Sequence, residues 1–261
     1  MVMHRRALRA GAVALLLLAA APSLHAQAPY SLEQVMSYAF PTSLVVAPDG
    51  QRMAWLANQR GQRNVWLAEA PRWEPRRLTT YDDDGGVELS ALQWLADSRR
   101  LLFIRGHGTN MDGEVANPTS EIDGASRDLF LLDTRGGVPR RIADGVNVQV
   151  APTGARIAWV RNRAAMLLDL DASENEAQPV QLFSVRSSLS DLQWSPDGSR
   201  IAFSSARDGR AILGTFDTRT SVLTWLTNTV DRDAMPRWSR DGRHIAFIRT
   251  VAGSAGYSVW R

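Results

Sequence analysis

The chain has 261 residues, 44% hydrophobic and 22% charged, proportions of a folded globular protein and not of a disordered one. All 30 basic side chains are Arg against 27 acids, and Arg5, Arg6 and Arg9 precede the first acid, Glu33; beyond residue 26 the two signs balance, which excludes a basic nucleic-acid-binding domain. There is no Cys, so disulfides, thiolate zinc sites, Cys nucleophiles and a lipoprotein attachment site are excluded too.

Residues 1–9 are cationic, 11–21 are an unbroken small and apolar run, and 22–28 are a polar, small-residue tail. This is the layout of a secretory signal peptide. The apolar run is far short of the ~20 residues a permanent span needs. Ala26-Gln27-Ala28 fits small-x-small cleavage but would leave Pro29 beside the cut, so cleavage after Ala26 is expected, giving a signal peptide over 1–26. The expected location is periplasmic or secreted, with no membrane span after signal removal. A short helix is predicted over 32–38, with Ser31 as N-cap and Gln34 completing a capping box.

From residue 44 onward a twelve-residue unit recurs. Leu192-Gln-Trp-Ser-Pro-Asp-Gly-Ser-Arg-Ile-Ala-Phe203 aligns without gaps to copies starting at Leu92 and Pro236, and more loosely to copies starting at Leu44 and Val148. Leu192-Gln193-Trp194 alternates as a half-buried strand does, and Pro196-Asp197-Gly198 is hairpin-turn chemistry. Ile201-Ala202-Phe203 resumes the strand, with a small Ala where neighbouring sheets approach. Third strands are predicted at 64–68, 128–133, 165–169 and 211–217, and fourth strands at 76–80, 139–143, 179–185 and 222–227. A period near 44 residues is that of a four-stranded propeller blade.

The expected fold is therefore all-β: a β-propeller over residues 30–261 with blades at about 44–82, 92–145, 148–189, 192–230 and 236–261. The fifth blade reaches a third strand at 257–260 and lacks a fourth. About four and a half blades cannot close a ring, so the expectation is an incomplete propeller, part of a longer polypeptide.

The unit Trp-Ser-Pro-Asp-Gly-x-x-Ile-Ala-Phe resembles the propeller repeat of the translocation protein TolB and of the prolyl oligopeptidase family of serine peptidases. The opening stretch, Ser31-Leu-Glu-Gln-Val-Met-Ser-Tyr-Ala-Phe-Pro41 with Val46-Ala-Pro-Asp-Gly50 and Arg63-Asn-Val-Trp-Leu-Ala-Glu-Ala-Pro71, is similar to the start of exported bacterial prolyl oligopeptidase and dipeptidyl peptidase-like enzymes. The resemblance implies a propeller gating peptide substrate toward a C-terminal α/β-hydrolase domain absent from this chain, which would then be inactive alone. The alternative is a non-enzymatic TolB-type periplasmic propeller that binds envelope proteins.

No catalytic, cofactor or metal residue is assigned. Ser254, in Ala252-Gly-Ser-Ala-Gly256, lacks the first Gly of a nucleophile elbow and reads as a hairpin loop. The second repeat is about twelve residues longer than its neighbours, the excess falling in 106–127. His107, Asp112 and Glu114 in that insertion are the candidate contacts to substrate or to another domain. Some dipeptidyl peptidases read a substrate amine with a Glu pair on a propeller insertion; Glu114 has no adjacent Glu. The acidic run at 82–84 lacks the alternating spacing of a Ca²⁺ loop. Trp55, Trp94, Trp159, Trp194 and Trp238 recur in phase and read as core, and Arg52, Arg156 and Arg200 as repeated surface.

Overall fold

A turn that needs a left-handed residue meets a Gly in four of the five repeats, and there the hairpins form. Gly50, Gly154, Gly198 and Gly242 have φ between 67° and 70°, while Ser98 takes φ 55° in the copy without Gly. In four turns the preceding Asp accepts the amide two residues on: Gln51 N to Asp49 Oδ1 (2.8 Å), Arg99 N to Asp97 Oδ1 (2.9 Å), Ser199 N to Asp197 Oδ1 (3.1 Å) and Arg243 N to Asp241 Oδ1 (3.0 Å). Asp197 also accepts the Ser195 and Ser199 hydroxyls, which hold its carboxyl well below the usual carboxylate range.

The computed structural model describes residues 30–82, 85–108, 115–120, 122, 124–172, 178–254 and 256–261. The chain divides into a unit up to Tyr38 and a unit from Ala39 to Arg261. In the first, helix α1 (Leu32–Met36) carries the expected capping box: Gln34 N donates to Ser31 Oγ (3.0 Å) and Ser31 N to Gln34 Oε1 (2.9 Å). It ends earlier than predicted because Ser37, whose hydroxyl donates to Gln34 O (2.7 Å), closes the last turn.

The second unit is a β-propeller array. Blade 1 is β1 (Phe40–Val46), β2 (Arg52–Gln59), β3 (Gln62–Glu69) and β4 (Arg76–Arg77), antiparallel in chain order. Blade 2 is β5 (Leu89–Trp94), β6 (Arg100–Arg105), β7 (Asp128–Asp133) and β8 (Arg140–Asp144). Blade 3 is β9 (Val146–Val150), β10 (Arg156–Arg161), β11 (Ala164–Asp169) and β12 (Val180–Ser184). Blade 4 is β13 (Ser188–Trp194), β14 (Arg200–Arg207), β15 (Arg210–Asp217) and β16 (Leu223–Trp225). β17 (Arg232–Trp238), β18 (Ile245–Thr250) and β19 (Tyr257–Trp260) follow, joined to blade 4 by a parallel bridge between Ala211 and Arg232. The first strands neighbour one another in chain order, so the blades meet face to face at their inner edges.

Two features depart from the prediction. The outer strands β4 and β16 are shorter than expected because a side chain replaces the backbone ladder. Val65 N donates to Thr79 Oγ1 (2.9 Å) and Leu213 N to Thr227 Oγ1 (3.0 Å), each just past the last paired residue. The inner strands also carry an unpredicted bulge. Ser43, Ala91, Asn147, Asp191 and Met235, each one residue before a repeat starts, all have φ between 52° and 54°. The register slips beside them, for example between Ser90 and Gln93 and between Ser190 and Gln193.

The core is a series of seams between blades, not one centre. Blade 1 contributes Ala54, Leu56, Val65 and Leu67 to a seam with Leu92, Trp94, Leu101 and Phe103 of blade 2. Equivalent clusters fill the next two seams, around Trp159 and around Trp194 and Phe203. The small residue expected in the second strand is there: Ala54, Ala158 and Ala202 are almost wholly buried.

Candidate functional site

Three of the four seams are latched in both directions. The Trp three residues into a copy donates its indole N–H to the second residue of the preceding copy: Trp94 to Val45 O (3.2 Å), Trp194 to Gln149 O (3.3 Å) and Trp238 to Gln193 O (3.1 Å). The ninth-position Arg reaches forward to the turn of the next copy: Arg52 to Ser98 O (2.9 Å), Arg156 to Gly198 O (3.4 Å) and Arg200 to Gly242 O (3.4 Å). Arg156 and Arg200 also lie over the rings of Trp194 and Trp238. Val150 replaces the Trp in the third copy, and there Gln93 bridges instead, through Val148 O (2.9 Å) and Val150 N (3.2 Å). The recurring Arg residues are thus inter-blade clamps, a role their spacing alone left as repeated surface.

Apolar positions are bare at the array's two outer faces. Leu44 is 64% exposed where its counterparts Leu92, Val148 and Leu192 are 4%, 2% and 1% exposed. Val46, at the Trp position, is likewise exposed, as are Tyr257 and Val259 on the last sheet. Within that sheet Asp233, fully buried, pairs with Arg249 through two bonds of 2.7 and 2.8 Å, and Arg249 also lies over Trp260.

The insertion of blade 2 leaves β6 at Gly106, whose φ is 129° and whose added Cβ would lie 2.3 Å from Ser126 O. Only a glycine lets the two ends of the insertion meet. Gly106 N is further pinned to Glu88 O (2.9 Å). The neck opens on a cleft of about 350 Å³ lined by Arg105, His107, Asp128, Val87, Phe130 and residues 116–119 and 124–126. His107 Nδ1 lies 3.6 Å from Glu88 Oε2, and His107 Nε2 is buried with no hydrogen-bond partner among the described residues. Arg105 lies over the ring of Tyr81, 4.9 Å from its centroid. Burial raises the Tyr81 phenol above its ordinary value against the opposing pull of Arg105. Arg141 Nη2 lies 2.8 Å from Asp128 Oδ1, an ion-pair distance, although that oxygen accepts no well-aligned hydrogen bond.

Tyr81 is itself placed by a buried network. Asn64 donates from Nδ2 to Tyr81 O (3.0 Å) and accepts at Oδ1 from Tyr81 N (2.9 Å) and the Thr79 hydroxyl (2.8 Å). Sequence reasoning missed Asn64 and Thr79; the Leu-Thr pair at 78–79 and again at 226–227 is the signal that could have found the second.

Of the sequence candidates, His107 is in the cleft, while Asp112 and Glu114 lie outside the described residues. Ser254 sits in the β18–β19 hairpin loop and accepts from Gly256 N (3.1 Å). His244, in the ninth position, is exposed, its amide bonded to Ser239 Oγ (2.9 Å). Asp82 pairs with Arg77 (2.8 Å), and 83–84 are outside the described residues. A second cleft, of about 310 Å³, between β9 and β13 has its charges engaged: Arg161 pairs with Asp144 (3.1 Å) and Arg163 donates to Arg186 O (3.3 Å). No group of three or more potential metal ligands occurs among the described residues.

No protein-family model matches the chain, and no curated protein matches it in sequence. Solved structures match in fold. TolB from Acinetobacter baumannii is 16% identical with a TM-score of 0.55, over 85% of this chain and 51% of that one. The acylaminoacyl peptidase of Pyrococcus horikoshii is 14% identical with a TM-score of 0.56, over 84% of this chain and 37% of that one. Dipeptidyl peptidase 4 of Porphyromonas gingivalis is 12% identical with a TM-score of 0.56, over 80% and 35%. The chain thus spans about half of that TolB and little more than a third of the two peptidases. At these identities the likeness is one of fold: a propeller of the kind found in TolB and in peptidase N-terminal regions.

Proposed function

We propose that this chain is the exported, N-terminal propeller part of a serine peptidase acting on peptides, with its hydrolase domain carried elsewhere in the same polypeptide. The observation that carries the reading is the bare leading face of blade 1. Leu44 stands at a position that the four other repeats bury, and Val46 at one that Trp94 and Trp194 fill as buried residues, so further blades are the natural cover. The opening-blade resemblance to exported prolyl oligopeptidase-like enzymes supports the peptidase class. In that arrangement the propeller screens substrates by size and contributes contacts from its insertion loops, with no nucleophile of its own.

The test is to read the gene beyond Arg261 and to treat the full-length product with a fluorophosphonate probe. The expected result is one labelled Ser outside residues 1–261, and no peptide hydrolysis by the 261-residue chain alone. A stop codon after Arg261, or a full-length product that the probe does not label, overturns the proposal. Capture of envelope proteins by the unlabelled product would then support the TolB-type reading.

A further inference from the structure

The cleft beside the blade 2 insertion is lined by His107, whose Nε2 is buried without a hydrogen-bond partner among the described residues, and by Arg105, which is half-buried. Arg105 lies across the strand pair from Asp128, yet the acid's charge is engaged by Arg141 from β8. Among the described residues Arg105 has no ion pair or hydrogen bond, only the Tyr81 ring on one side. His107 turns one nitrogen toward Glu88 and leaves the other buried without a partner. A buried nitrogen in the condition of His107 Nε2 is uncommon and costly unless something fills the space. The neck at Gly106 cannot relax to spread them apart, because backbone atoms of the returning chain lie against it.

We propose that this cleft is a binding site for a carboxylate, taken by Arg105 and His107. A planar monoanion matches the guanidinium fork. His107 Nε2, buried without a partner among the described residues, is placed to donate to the second carboxylate oxygen. Val87, Phe130 and Pro118 give the organic part of the ligand an apolar wall, and about 350 Å³ accommodates a small acid or the last residues of a peptide. The assignment does not depend on a hydrolase domain, and it stands or falls separately from the proposed function.

Calorimetric titration of the full chain with acetyl-Ala-Ala, with its C-terminal amide and with acetate tests the site. The acid is expected to bind and the amide to bind at least ~10-fold more weakly, the loss that follows from removing a charge-assisted contact. Acetate binding as tightly as the peptide acid assigns the site to small organic acids; clearly weaker acetate assigns it to peptide C-termini. Arg105→Gln is expected to weaken the acid at least ~10-fold, and Arg105→Lys, which keeps the charge but loses the fork, to fall between. Should Arg105→Gln fail to fold, His107→Gln reads the same contact from the other side. Equal binding of acid and amide overturns the proposal. So does no binding of the acid at about 10 mM, the weak end for one or two such contacts, or unchanged affinity in the folded variants.

Discussion

Replacing Trp194 by Phe keeps an aromatic ring in the seam between blades 3 and 4 and removes its N–H donor together with part of the indole's volume. Gln149 O then loses that bond, and Arg156 loses the indole face for a weaker one. A net loss of about 1–2 kcal/mol is expected, one hydrogen bond plus part of a cation–π contact. Trp194→Ala removes the ring as well and should cost about 3–5 kcal/mol. Urea denaturation of both variants measures the difference. If Trp194→Phe matches the parent, the latch geometry is incidental and the seams are held by apolar packing alone. The side chain matters at this scale because the repeat assigns it two partners in the neighbouring blade, and neither is visible from its own strand.

The elements themselves show which parts of the fold can be read from residue order. The turn at Pro196-Asp197-Gly198 and its copies carries its own chemistry: an acid that bonds the amide two residues on and a Gly at positive φ. The α1 cap was equally local. The inner-strand bulges were not legible, because Ser43, Ala91, Asn147, Asp191 and Met235 share a backbone conformation and no chemical type. That conformation is imposed by packing each first strand beside its neighbours, not by local preference. The cleft was half legible. A length excess and His107 mark the insertion, but Arg105 and Tyr81 sit in different blades and meet only once the sheets stack. Gly106 is the tight neck of that site. Gly106→Ala would drive a Cβ toward Ser126 O at a positive φ, and a destabilisation of about 2–4 kcal/mol is expected. Thermal and urea denaturation of the variant check this, and a parent-like stability would mean that the neck is loose and the cleft has no fixed shape.

At the scale of the whole array, one repeat position experiences two environments, and a single substitution can separate them. Leu44 and Leu192 open the first and fourth copies of the same unit, but Leu44 is 64% exposed and Leu192 is 1% exposed. Leu192→Glu places a charge in a packed seam beside Trp194 and Phe203 and should unfold the chain or cost more than about 3 kcal/mol. Leu44→Glu should change stability by less than about 0.5 kcal/mol, since none of the described residues covers it. It should also act on association. A leading face at blade 1 and a trailing face on the last sheet both expose apolar residues, so copies are expected to stack head to tail. The 261-residue chain is therefore expected to bind a hydrophobic dye and to sediment with a concentration-dependent mass. Leu44→Glu combined with Val259→Glu should lower both readouts and leave the melting temperature almost unchanged. Equal destabilisation by Leu44→Glu and Leu192→Glu would mean that the first blade is already covered, and the basis for expecting further blades would be lost.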